Sequence, residues 1–315
     1  MADAARNVIA PSSDGTSPAR PGYDHDWFEW EPIPARRPLL WPEGGGLAVS
    51  VVVNLGAVEW EEEGSGPVPP PGGRGIGAYP DIPRMSNREF GHRVGVFRLL
   101  EIAARLGIPL AAAVDVLTAE HYPALMAHLV PAADEVVAAG LSASRPITSL
   151  MSSDEEADYV ALTLSRLEER LGFRPAGWIS PENSQSARTP AVLAGAGLRY
   201  MADWCNDDQP CALGESARGL WSFPLSWELS DLSAMFVRGV SPADYTASII
   251  EAALVLAAEG ATGSGRLLGL HVHPWVSGQA FRSGALEAAL GRLREEPGVW
   301  FATPGQIVDW CRQSP

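Results

Sequence analysis

Cysteine is scarce in this chain of 315 residues: Cys205, Cys211 and Cys311 are the three, and none belongs to a CxxC. An odd number without paired spacing excludes a disulfide framework and a thiolate zinc site. Positive charge is scarce as well. The formal net charge of −15 opposes a nucleic-acid partner, because binding a phosphate backbone needs basic residues that displace counterions. It equally opposes attachment to an anionic membrane surface. No apolar run approaches the roughly 18 residues of a membrane span. The opening residues, MADAARNVIAPSSDGTSPARPG, hold no apolar core of the kind a Sec leader requires. These absences predict a cytoplasmic protein that does not engage the membrane.

What is present is core. At 46% hydrophobic residues the chain can bury a large interior, and its length suits a single α/β barrel domain. Residues 1–22, rich in Ala, Ser, Pro and Gly, predict a disordered arm. Residues 23–315 form the predicted domain, entered by an aromatic lead-in with Trp27, Phe28, Trp30 and Trp41 packed on the body or on a neighbouring subunit. LAVSVVVN, residues 47–54, is a β-branched run and the first strand. A charged Gly- and Pro-rich stretch, 59–83, has the length of a lid, binding loop or assembly element. Ser86 with Glu89, and Ser153 with Glu156, have capping-box spacing and predict two helix starts. Strand and helix then alternate to the C-terminus, without a domain-sized break or internal repeat. Alternation of this kind implies a mostly parallel sheet, and about seven or eight units imply a closed or nearly closed barrel.

Barrel chemistry gathers on the loops after the strands. Five polar stretches lie at predicted strand ends: 54–59, 140–145, 180–184, 203–209 and 271–279. The last, within LLGLHVHPWVSGQ, holds His271 and His273. Two residues apart on a strand, their side chains share a face about 6 to 7 Å apart. Such a pair can hold a metal, move a proton or donate structural hydrogen bonds; the spacing alone leaves these open, and convergence of the five strand ends favours His273 lining a pocket.

The segments GAYPDIPRMSNREFGHRVGVFRLLE, SRPIT, DWCNDDQP, LHVHPWVSGQAFR and PGVWFATPGQIVDW together resemble the polysaccharide deacetylase superfamily, on the branch of allantoinase-like and cyclic-imide hydrolases. The resemblance spans about residues 23–310 and implies a distorted (β/α)7-type barrel that hydrolyses a non-peptide carbon–nitrogen bond of a small molecule. In that family a divalent metal is commonly held by one carboxylate after the first strand and two histidines after the third. The matching positions here are Gly56, Ala139 and Ala143, none of which has a coordinating side chain. The resemblance therefore implies no metal at the usual place, and no other cofactor is indicated. What it carries over is His273, as the last-strand histidine, and Asp203 with Trp204, as the aspartate–tryptophan pair.

A rebuilt catalytic set would use His273 with Asp203 and Glu59, a histidine–carboxylate combination able to act as general base on water. Arg84, Arg145, Trp178, Glu182, Trp204, Asp207 and Trp275 are the candidate substrate-binding residues. Each has a plainer reading: structural ion pairs for the arginines and Asp203, loop hydrogen bonds for Glu182 and Asp207, core packing for the tryptophans. Three functions follow. The chain is a non-catalytic subunit, in a homo-oligomer or paired with an active paralogue; or a metal-independent hydrolase of a small amide, cyclic imide or ureide; or a binder of a small ligand without turnover. Loss of three ligand positions at once favours the first.

Overall fold

The computed structural model describes residues 25–60 and 82–313, the side chain of Arg84 excepted. The predicted arm at 1–22 and most of the loop at 59–83 lie outside the described residues. The strands are β1 (Leu47–Asn54), β2 (Ala111–Val114), β3 (Glu135–Ala138), β4 (Gly177–Trp178), β5 (Tyr200–Met201), β6 (Cys211–Ala212), β7 (Trp221–Ser222), β8 (Arg266–Val272) and β9 (Val299–Phe301). They form one curled sheet in the order β6-β7-β5-β4-β3-β2-β1-β8, with β9 also paired to β1. Every pairing is parallel except β6 with β7. The result is a single-domain α/β fold, a distorted barrel whose far edge on β8 is bridged by two backbone bonds, Leu267 N–H to Asp208 O at 2.7 Å and Ser226 N–H to Gly269 O at 2.9 Å.

The helices cover the sheet: α1 (Ile82–Phe90), α2 (Val96–Leu106), α3 (Val116–His121), α4 (Pro123–Ala132), α5 (Ser153–Leu171), α6 (Thr189–Gly195), α7 (Pro242–Thr262), α8 (Pro274–Ser277), α9 (Ala280–Arg294) and α10 (Pro304–Gln313). None is long and apolar enough among the described residues to cross a membrane. Strand alternation separates two apolar layers. On β1, Leu47, Val49, Val51 and Val53 belong to the larger cluster, which includes helix residues such as Leu99, Leu129 and Leu164. Ala48 and Val52 join Ala111, Ala113, Val137 and Ala139 in the second cluster, which Tyr200 and Phe223 help to fill. Small side chains on β1, β2 and β3 thus share a layer with the large rings on the β5–β7 side.

Local signals place several elements differently from the sequence expectation. Ser86 does not open a helix: it lies inside α1 and its hydroxyl donates to Pro83 O at 2.8 Å. The second capping box is real but one residue earlier, with Ser152 accepting from Glu155 N–H and the Glu155 carboxylate accepting from Ser152 N–H. Glu156 is instead buried and takes hydrogen bonds from Ser186 and Thr189. The helical stretch after β2 is two helices, α3 and α4, broken at Tyr122 where Pro123 follows; proline disfavours helical backbone at the residue before it.

Between α1 and α2 the helix widens through a π-type turn at Gly91–Gly95. A Cβ on Gly91 would meet Trp275 N at 2.8 Å, and one on Gly95 would meet Pro274 O at 2.1 Å. Two glycines one turn apart therefore let α1 lie directly on α8, which fixes Arg88 against Trp275.

Candidate functional site

A cavity of about 350 Å³ opens at the strand ends, lined from Asn54 and Gly56, from Ala139 and Ala143, from 180–183, from the 227–237 segment, and from His271, His273 and Trp275, with Arg88 from α1. Four of the five polar strand-end stretches reach it; 203–209 does not.

The β1 loop is held by a buried strap. Asp115, at the end of β2, accepts Ala57 N–H and Thr118 N–H, each at 2.7 Å. The Thr118 hydroxyl donates to Leu55 O at 2.6 Å, and Ala143 N–H donates to Ala57 O at 2.8 Å. Gly56 and Ala143 consequently face one another: a Cβ built on Gly56 would lie 3.4 Å from Ala143 Cβ. With Ala139 beside them, the three positions matched to family metal ligands form one wall of the cavity.

His271 sits deeper. Gly56 N–H donates to Asn54 Oδ1 at 2.9 Å, which orients the amide so that its Nδ2–H points to His271 Nε2 at 3.0 Å. His271 Nε2 is then an acceptor, and the ring proton belongs on Nδ1. Burial, followed by the neighbouring His273, holds the His271 pKa well below 6.5, so this imidazole is neutral at pH 7.

His273 closes the strand, just past β8 and immediately before α8. Its ring lies 4.6 Å from that of His271, centroid to centroid. Its Nδ1 is 2.8 Å from Oδ1 of Asp231, a fully buried carboxylate. Asp231 also accepts His273 N–H, Ser277 N–H and the Ser277 hydroxyl. A carboxylate on Nδ1 fixes the tautomer and leaves Nε2 as the atom that can exchange a proton with a ligand.

The expected site residues separate into two groups. His273, Glu182 and Trp275 line the cavity, as do Gly56, Ala139 and Ala143. Glu59 instead pairs with Arg145, Nε to Oε1 at 2.9 Å, and neither is among the lining residues. Trp178 is fully buried in the core, its indole N–H donating to Ser180 Oγ. Trp204 donates to Gln185 and packs edge-on against Phe28. Asp207 makes a two-pronged ion pair with Arg36, at 2.6 and 2.8 Å. Asp203 is a clamp: it accepts Ser180 N–H at 2.6 Å, the Ser180 hydroxyl at 3.2 Å and Gln185 Nε2–H at 2.5 Å. Three further residues escaped the sequence reading. Asn54 closes the first strand and was open to the strand-end rule. Arg88 lies within the quoted REFG stretch, four residues past the Arg84 chosen there. Asp231 has no local motif at all.

The carboxyls of Asp115 and Asp203 are each pushed up from 3.8 to about 7, chiefly by burial. Between those values the folded chain holds protons that the unfolded chain has lost, so stability contributed by these two groups falls as pH rises from about 4 to about 7, by up to several kcal/mol each. Thermal melts across that range should show a shallower fall in the Asp203→Asn chain than in the parent.

Fit to the family's metal can be judged from the donors present. The wall of Gly56, Ala139 and Ala143 offers only carbon, and His271 Nε2 is taken by Asn54. Among the described residues no three His, Cys, Asp or Glu side chains are grouped so as to hold a metal ion. The described residues lining this wall do not fit the family ion.

No family model matches the chain. It is 23% identical over 304 residues to a Schizosaccharomyces pombe protein provisionally designated a polysaccharide deacetylase, covering 87% of this chain and 93% of the relative. The crystal structure of Puue allantoinase superposes with a TM-score of 0.75 at 21% identity, covering 87% of this chain and 93% of that one. A Mycobacterium smegmatis structure provisionally designated a polysaccharide deacetylase superposes with 0.73 at 25% identity, covering 88% and 94%. The chain is thus similar in sequence to a provisionally designated polysaccharide deacetylase and shares the fold of these solved structures.

Proposed function

We propose that this chain binds a small amide, cyclic imide or ureide in the cavity without metal-dependent hydrolysis, as the non-catalytic member of an assembly, either of its own copies or with an active paralogue. The observation that carries this reading is the wall of Gly56, Ala139 and Ala143. A metal in such a fold polarises a carbonyl and activates water; three neighbouring side chains without a lone pair supply neither role. The remaining polar groups suit binding: Asn54, the neutral His271 and His273 can donate to and accept from an amide edge.

A second reading rests on a different observation, the buried pairing of His273 with Asp231. A histidine so oriented can serve as general base on water, worth on the order of 10²- to 10⁴-fold. This pair replaces the His273–Asp203–Glu59 set read from the sequence, because Asp203 and Glu59 are engaged elsewhere.

The readings separate by experiment. Purified chain, with its metal content measured and with zinc added, is incubated with dihydrouracil, succinimide and allantoin. No turnover in any condition is expected. Metal-free turnover abolished in His273→Ala would sink the subunit reading and establish the second.

A further inference from the structure

Arg88 has more hydrogen-bonding capacity than its surroundings use. Its side chain is 11% exposed and lines the cavity. The guanidinium carbon lies 5.3 Å from the centroid of the Trp275 ring, and Nη1 donates to Glu182 Oε1 at 3.2 Å. Nε is buried with no hydrogen-bond partner among the described residues. A guanidinium carries five N–H donors in a planar fork, and a buried donor left unpaired is costly. The partner it does have is loosely placed. The Glu182 side chain is about half exposed (48%), and its backbone is left-handed at φ 53°, followed by Asn183 at φ 54°. Two consecutive non-glycine residues in that region are strained. Among the described residues, nothing else lining the cavity is anionic.

Trp275 stands between two chemistries. One side touches Arg88; the His273 ring is 6.3 Å away, centroid to centroid. A single small molecule can therefore reach both Arg88 and the histidine pair within a cavity of about 350 Å³. Resting on the reading of this cavity as an amide site, we propose that Arg88 selects a ligand bearing a carboxylate: an open-chain half-amide or ureido acid rather than a neutral ring. The carboxylate takes the place of Glu182 on the Arg88 guanidinium, where a charge-assisted bond gives orientation as well as affinity. The amide end lies at Asn54, His271 and His273. Glu182 acts as the internal anion that the ligand displaces.

Calorimetric titration of the full chain with succinamate, succinamide and succinimide tests this. Succinamate carries both groups, succinamide lacks the charge, and succinimide lacks the charge and the open chain. Succinamate should bind at least about tenfold more tightly than either neutral compound, the equivalent of ~1.4 kcal/mol. Arg88→Gln should erase that preference, bringing the affinity for succinamate down to that for succinamide. Glu182→Gln, at a half-exposed position where folding is not at stake, should widen the preference by removing the competing carboxylate. Equal affinity for all three, binding of none, or a preference that survives Arg88→Gln overturns the proposal. Ring opening of succinimide by the parent chain, followed by ultraviolet absorbance, would sink the non-catalytic reading alone, since the succinamate formed would be the species held at Arg88.

Discussion

The combined variant Gly56→Asp, Ala139→His and Ala143→His should bind one zinc ion per chain with a dissociation constant at or below the micromolar range, where the parent shows no site of comparable strength. The backbone is already arranged for it. Positions 56 and 143 are in near contact, with 3.4 Å between a built Cβ and the Ala143 Cβ, and Ala139 lines the same wall. Gly56 has an ordinary backbone conformation, so a side chain there costs no left-handed strain. One Asp and two His provide three hard or borderline donors, and zinc accepts them at about 2.0–2.2 Å with a fourth position left for water. Larger side chains will crowd the cavity, costing about 1–3 kcal/mol of stability by overpacking. That loss should be visible in the apo melt and reversed when zinc is added, because a ligand that binds only the folded state stabilises it. Each single variant should bind at least ~100-fold more weakly, since one donor cannot replace chelation. Calorimetry and metal content after desalting measure all of this. If the parent retains zinc as tightly as the triple variant, the wall is not what prevents metal binding, and the proposed function loses its main support.

The long elements of this fold are legible in the sequence because their signals are local. The β-branched run of β1 has its sides set by alternation alone, and α7 has Ser241 accepting from Asp244 N–H ahead of Pro242. Strands β4 to β7 are two residues each and leave almost no period to read, so their pairing, including the antiparallel β6, is a tertiary outcome. The capping boxes show the same boundary. Ser152 and Ser153 both stand near a glutamate at a suitable spacing, and burial of Glu156 against Ser186 and Thr189 decides between them. At the site, the strand-end rule locates the walls but not the partners. Asp203 and Asp207 sit in the most distinctive motif of the chain, yet they clamp the β4 loop and anchor Arg36. Asp231 belongs to a segment between β7 and α7 with no apolar period, and it meets His273 across 42 residues of chain.

Replacing that carboxylate should have the largest effect on the site and a severe one on the fold. Asp231→Ala strips acceptors from His273 Nδ1–H, two backbone N–H groups and the Ser277 hydroxyl, in a place with no exposure to solvent. Removing one partner from a buried, hydrogen-bonded charged group costs about 3–5 kcal/mol, and donors left unpaired account for much of that. Asp231→Asn should cost less, because Oδ1 of the amide still accepts one of these bonds. Its Nδ2 cannot accept, so an amide turned towards the imidazole forces Nδ1 to become the acceptor and moves the ring proton to Nε2. The two variants therefore separate two jobs. Denaturant titration reads the tie between the 231–237 segment and α8, expected to fall steeply in Asp231→Ala and modestly in Asp231→Asn. Nitrogen chemical shifts of the His273 ring read the tautomer, with the proton on Nδ1 in the parent and on Nε2 in Asp231→Asn. A parent spectrum with the proton already on Nε2 would show that Asp231 does not set the ring. Asp231 would then be only the anchor of α8, and the general-base reading of His273 would have nothing beneath it.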